Sequence, residues 1–455
     1  PLLSRLREVV GEPYVLTRPE EVGGYAADAS IAQAAGDPLA IVLPASTAEV
    51  SQVMQIAARA NIPVVTRGAG SGLAGGATPT PGALVLALTR MQRLAIDPHQ
   101  MTAHAEAGVM TADLQRAAEA HHLFYPPDPS SQNVSTIGGN IACNAGGPRC
   151  IKYGVTADYV LGLTVVLADG RTLRVGNGLN HHAPDAARLH LLIGSEGTLA
   201  VITEATMRLL HAPPARRTVL ALFDRLEAAC TTVEAIMAAG LLPAALELMD
   251  DTTIAVVDDY LHLGLPRDAG ALLLLLSDGE PAAVEQESHL LAEFARRGGA
   301  RQVTLSHSSH DEAALWRGRR AIGPALARVR PNRLGEDICV PVHQIAATVA
   351  CIKAISDHYR LPIPVFGHAG DGNLHPNILF DARDAAQVER AWQAAEAIFT
   401  AALEVGGTLS GEHGIGTLKR AFLPAALGEQ SLALHRAIKA TVDPHHRLNP
   451  GKVLV

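Results

Sequence analysis

A chain of 455 residues is long enough for two or three domains, and nearly half of it is apolar, which is ample for a core. Its 37 basic and 45 acidic side chains leave a net charge of −8, without the basic face or stripe of a nucleic-acid binder. No apolar run approaches the roughly 18 residues of a membrane span, so no transmembrane segment is expected.

Cys143, Cys150, Cys230, Cys339 and Cys351 are odd in number, and no two have C-x-x-C spacing. That argues against a disulfide scaffold and a self-contained iron–sulfur cluster, and for a reducing, cytoplasmic setting. The opening Pro1-Leu-Leu-Ser-Arg does not read as a secretory signal, because no apolar core precedes a small-residue cleavage site.

In chain order, Ala40-Ile-Val-Leu reads as a short strand. Ser46-Thr-Ala-Glu49 reads as a capping box opening a helix to about Arg59. A strand at 62–66 runs into a glycine-rich loop, and another follows at 83–88. Asp169-Gly170 between two apolar runs signals a hairpin. Ala212-Pro-Pro-Ala marks a domain boundary. Beyond it, strands are expected at 218–223, 271–277, 302–306, 337–342 and 364–367, with amphipathic helices at 311–328 and 342–359. The tail from Asp443 to Lys452 reads as a loop able to return to the first domain. The pattern predicts an α+β protein.

Three glycine-rich motifs stand in the first half. Arg67-Gly-Ala-Gly-Ser-Gly-Leu-Ala-Gly-Gly76 follows a strand, and its backbone N–H groups can form an anion nest. It lacks the Lys-Ser/Thr of a Walker loop and the helix of a Rossmann fingerprint. Residues 126–147 read as a long loop dense in hydroxyls, amides and glycine, with Ile137, Ile141 and Ala142 spaced as if the loop were packed. Gly194-Ser-Glu-Gly-Thr198 is a further glycine turn leading into a strand.

Two more glycine loops lie in the second half: Phe366-Gly-His-Ala-Gly-Asp-Gly-Asn-Leu-His-Pro-Asn377 and Ser410-Gly-Glu-His-Gly-Ile-Gly-Thr-Leu-Lys419. Two imidazoles and a carboxylate are a ligand set for a divalent ion with open positions. A lone surface histidine among 20 is more often solvated, and His121, His122, His181, His182, His445 and His446 are read so.

The three first-half motifs, in order over residues 38–212, resemble the FAD-binding domain of the vanillyl-alcohol oxidase superfamily, the PCMH-type fold. With the two histidine loops and the ending Asn449-Pro-Gly-Lys452, most of the chain resembles the D-2-hydroxy-acid dehydrogenase branch. That branch holds D-lactate dehydrogenases, D-2-hydroxyglutarate dehydrogenases and glycolate oxidase flavin subunits. The resemblance implies a PCMH-type FAD domain at 1–212, an α+β cap on an antiparallel sheet at 213–420, and a segment at 421–455 returning to the FAD domain.

FAD contacts carried over are Arg67, Gly68, Ala69, Gly70, Ser71, Gly72, Leu73, Asp128, Ser131, Thr136, Ile137, Gly138, Gly139, Asn144, Gly147, Gly197, Ile202 and Asn449. Noncovalent FAD is expected, because the 67–76 loop has no histidine. The implied metal ligands are His368, His375 and Glu412, for zinc before manganese or iron. His413 is the implied base, with Arg319 and Asn377 on the substrate. In the implied reaction the ion acidifies the hydroxyl of a small 2-hydroxy acid, His413 takes the proton and the C2 hydrogen leaves as hydride to the flavin.

The branch often carries a basic residue where this chain has Leu334-Gly-Glu-Asp, which favours a monocarboxylate such as D-lactate or glycolate. Electrons must leave to an external acceptor: a quinone, a cytochrome, an electron-transfer flavoprotein or a partner subunit, and through that acceptor a cytoplasmic protein could associate with a membrane. A homodimer stays open. Two alternatives are a metal-dependent hydrolase with nucleotide-binding loops and a flavin subunit inactive without partners.

Overall fold

In a computed structural model, residues 2–32, 34, 36–176 and 186–454 are described, so the expectation for His181 and His182 lies outside them. The chain divides into two compact units. One comprises Pro1–Gly146, Val155–Ala212 and Glu412–Val455, the other Gly147–Gly154 and Pro213–Gly411.

The first unit holds two sheets. A four-stranded sheet runs Val15–Leu16, Ala40–Val42, Leu84–Ala87, Val64–Arg67, and its last three strands are parallel. The helix Thr47–Ala60 supplies the crossover. It packs Val50, Val53, Met54 and Ala57 into the same core as Val42, Val64 and Leu84. A five-stranded antiparallel sheet runs Leu94–Asp97, Thr102–Glu106, Val201–Arg208, Val160–Val166, Thr172–Gly176. Asp169-Gly170 sits in the expected hairpin, with Gly170 at φ +88. The stretch 126–147 is not one loop, because Ile137–Cys143 is helical with Thr136 as N-cap. The two apolar positions Ile137 and Ile141 lie one helical turn apart and are both buried.

The second unit is built on an antiparallel sheet. Its order is Gln302–Leu305, Ala215–Phe223, Ala271–Gly279, Ala245–Asp250, Val365–His368, Asn373–Phe380, Asn332–Gly335, with Ile338–Cys339 also paired to Asn373–Phe380. The apolar run at 271–276 is a buried central strand. Two expectations need correction. The helix read at 311–328 is two, Ser309–Arg320 and Ile322–Val329, parted at Ala321. Pro324 explains the break: it has no N–H to donate to Arg320 and is tolerated only in a first helical turn. The strand read at 337–342 contracts to Ile338–Cys339.

Candidate active site

The glycine motifs of the first unit converge. Gly68 packs so closely on the second motif that a Cβ there would lie 2.4 Å from Thr136 Oγ1. The third motif is bonded to the second, Gly194 N–H to Ile141 O at 2.9 Å and Glu196 N–H to Ala142 O at 2.8 Å. Asn449 ties the third motif to the strand that leads into the first. Its Oδ1 accepts from Thr66 N–H at 3.0 Å, and its Nδ2 donates to Glu196 O at 2.6 Å.

Other expected flavin residues serve the same scaffold. Arg67 is buried and donates to Ala27 O at 2.9 Å. Thr136 accepts from Gly139 N–H at 3.3 Å and Asn144 from Ala157 N–H at 2.8 Å. Asp128 and Ser131 are half-buried, and Ile202 is part of the core of the five-stranded sheet. Gly147 belongs to the second unit and donates to Cys150 Sγ at 3.0 Å. Burial pushes the Cys143 thiol up to about 12, so it stays protonated at neutral pH.

The histidines of GHAGDGNLH stand on a β-hairpin, His368 ending one strand and His375 inside the next. The register sets Phe366 opposite His375 and His368 opposite Asn373. With a side-chain period of two, Phe366, His368, Asn373, His375 and Asn377 share one face. The turn depends on Gly372, where φ is +79 and a Cβ would meet Val340 O at 1.9 Å. The imidazoles approach with their Nε2 atoms 3.4 Å apart, and both are buried.

On the same sheet, Glu247 lies opposite His368. Its Oε1 accepts from His368 Nδ1 at 2.5 Å, and its Oε2 from Arg319 Nε at 2.5 Å. Burial drives the Glu247 carboxyl upward, but Arg319 and His368 together hold it below the ordinary range. The Arg319 guanidinium lies 4.9 Å from the Phe366 ring centre. Its bond to Glu247 leaves the two terminal nitrogens out. Asn377 donates to His375 O at 2.9 Å.

Ser410 and Gly411 are held by Asp337, which accepts from Gly411 N–H at 2.6 Å. Glu412 and His413 follow at the next peptide bonds, both partly exposed. Beyond them the chain is pinned again in the first unit. The buried Glu196 carboxylate accepts from Ile415 N–H at 2.7 Å and Gly416 N–H at 2.8 Å. Gly416, at φ +51, passes Ala74 O so closely that a Cβ would sit 2.0 Å away. Sequence reasoning missed Glu196 and Glu247 as site-building residues. The signal for Glu247 is a lone acid in the apolar strand Ala-Leu-Glu-Leu-Met, residues 245–249.

Residues 38–176 match the FAD binding domain family, and residues 212–453 match the C-terminal domain of FAD linked oxidases. The chain is 43% identical over 417 residues to glycolate oxidase subunit GlcD of Bacillus subtilis (strain 168), covering 91% of this chain and 89% of that one. It is 37% identical over 432 residues to D-lactate dehydrogenase of Archaeoglobus fulgidus, covering 93% of each. Among solved structures, p-cresol methylhydroxylase with substrate bound superposes with a TM-score of 0.84 over 99% of this chain and 96% of that one, at 17% identity.

That last likeness defines the class by fold: a PCMH-type FAD-binding domain followed by an α+β domain. The chain belongs to the FAD-linked oxidases, in the branch that holds D-lactate dehydrogenases and the glycolate oxidase subunit GlcD. It is an oxidoreductase with FAD as cofactor, which removes the hydrolase alternative.

Proposed function

We propose that this chain oxidises a small D-2-hydroxy acid, of the D-lactate or glycolate class, to the 2-oxo acid. The domain at 1–212 would hold FAD noncovalently through the residues named from the sequence, with 421–455 completing it and 213–420 forming the substrate cap. His368, His375 and Glu412 would hold a divalent ion, zinc before manganese or iron, two imidazoles and a carboxylate being donor types suited to one. The observation that carries the reading is the pair of imidazoles. Two nitrogens each about 2.0–2.1 Å from a tetrahedral zinc stand roughly 3.3–3.4 Å apart, and the separation here is 3.4 Å.

When bound, FAD supplies a hydride acceptor and the ion makes an alcohol more acidic. The remaining work falls to this chain's side chains. His413 takes the hydroxyl proton as general base. Arg319, anchored through Nε, has its two terminal nitrogens to grip a carboxylate as a bidentate pair, with Asn377 as a further donor. Leu334-Gly-Glu-Asp337, which begins in the strand paired with Asn377, has no lysine, and this supports a monocarboxylate over a dicarboxylate, although Arg333 precedes it in that strand. A protonated Cys143 and a histidine-free 67–76 loop support noncovalent FAD.

Electrons would pass to a quinone, a cytochrome, an electron-transfer flavoprotein or a partner subunit. Among the described residues no helix is long and apolar enough to cross a membrane. A cytoplasmic protein that meets its acceptor at a membrane surface suits this reading. The word "subunit" in the name of the Bacillus relative favours a second reading, a flavin subunit that needs partners to act.

Anaerobic mixing of the purified flavoprotein with D-lactate, L-lactate, glycolate and D-2-hydroxyglutarate, with and without chelator, tests both. Bleaching of the flavin by D-lactate or glycolate is expected, lost on chelation, and slowed severely in His413→Ala with FAD retained. Bleaching that survives complete metal removal would refute the metal assignment. A yellow protein bleached by none of the acids would favour the partner-dependent subunit.

A further inference from the structure

Glu247 has no role in the reaction as drawn above, yet its carboxylate is bonded to two residues that do, His368 and Arg319. It is fully buried, in a strand whose neighbours Leu246, Leu248 and Met249 are apolar. Burying a charge there is unfavourable unless both oxygens are paired, so an apolar residue would pack this strand more simply. Both oxygens are paired, and to different elements: Oε1 to His368 Nδ1 across the sheet and Oε2 to Arg319 Nε on the helix Ser309–Arg320.

The consequences for each partner follow from hydrogen-bond chemistry. A proton held on His368 Nδ1 by the carboxylate leaves the lone pair on Nε2, the nitrogen that faces His375. A bond through Arg319 Nε fixes the plane of the guanidinium, which Phe366 also bounds at 4.9 Å. Phe366 in turn lies 5.4 Å from the His375 ring. Glu247, His368, His375, Phe366 and Arg319 thus form a closed ring of contacts within the second unit.

We infer that Glu247 is a positioning residue that sets the tautomer and ring plane of His368 for metal and the fork of Arg319 for the substrate carboxylate, linking the two subsites through one side chain. The inference rests on the metal and substrate roles proposed above.

Its test is zinc binding. The FAD-loaded full chain, stripped of metal, is titrated with Zn2+ against a chromogenic zinc chelator as wild type, Glu247→Gln and Glu247→Asp. Glutamine keeps the shape but has one acceptor oxygen for two donors; aspartate keeps the charge but is one methylene short of spanning both. Glu247→Gln should bind zinc about 10–100-fold more weakly and Glu247→Asp should fall between it and wild type. Flavin content should stay near wild type, while the thermal midpoint of the apo protein should fall in Glu247→Gln, where the buried Arg319 loses its carboxylate. The same variants should raise KM for D-lactate, through Arg319.

Zinc affinity within about twofold of wild type in folded, flavin-bearing variants would overturn the inference. So would failure of both variants to fold, which would make Glu247 a structural residue. A wild type that takes up no zinc would sink the metal reading itself, and this shows before any variant is made.

Discussion

At Asp250 one side chain carries two opposed duties. It caps the helix Asp251–Leu261, accepting from Thr253 N–H at 2.8 Å, and it is buried. Burial pushes its pKa up from 3.8 to about 6, against the lowering effect of the Thr253 bonds. Between those two values the folded protein binds more protons at this site than the unfolded chain does. Stability from this site is therefore full below about pH 4, falls as pH rises through the window, and is flat above about 6. Asn is an equally good cap and does not titrate. The stability of Asp250→Asn relative to wild type should rise between pH 4 and pH 7, by about 1–3 kcal/mol. Urea unfolding followed by tryptophan fluorescence reads the right region, because Trp316 and Trp392 both lie in the second unit. An equal difference at the two pH values would show that Asp250 does not titrate in this window.

At the scale of elements, the helix Thr47–Ala60 shows what local sequence can specify. Ser46 Oγ accepts from Glu49 N–H at 3.2 Å, as the capping pattern predicts, although the Glu49 carboxylate reaches back to Ala45 N–H at 2.8 Å and not to Ser46. Ser46→Ala should cost about 1 kcal/mol, seen as a lower thermal midpoint with flavin content unchanged; no shift would mean that Glu49 alone holds the helix start. Legibility follows the same division. The Asp169-Gly170 hairpin, the buried strand at 271–276 and the glycine loops are written in neighbouring residues, so the chain alone showed them. The helix break at Ala321 was also local, and attention to Pro324 would have found it. Glu247 was not readable in this way. Its meaning comes from a register that sets it opposite His368, 121 positions along the chain, and from a helix that brings Arg319 to its other oxygen. The same holds for Glu196, whose partners Ile415 and Gly416 are about 220 residues away.

At the scale of the whole molecule, the first unit is not finished until the last residues of the chain return to it. Leu448 is fully buried in its core and bridges to Val64. Lys439, also buried, donates to Thr198 O at 2.6 Å, Leu448 O at 2.9 Å and the Asp443 carboxylate at 2.6 Å. Asn449 joins the third glycine motif to the strand that leads into the first, and the backbone of 415–416 supplies two donors to the buried Glu196. Removing 412–455 would open a hole in the core, strand the Glu196 carboxylate without those donors and free two loops expected to wrap FAD. The second unit keeps every strand of its sheet, since these all lie between Ala215 and Phe380. A chain ending at Gly411 should therefore be colourless after FAD reconstitution, while its tryptophan fluorescence still reports a cooperative unfolding transition. A yellow product with bound flavin would show that residues 1–212 complete the cofactor site unaided, and would move the role of the returning segment from building that site to covering it.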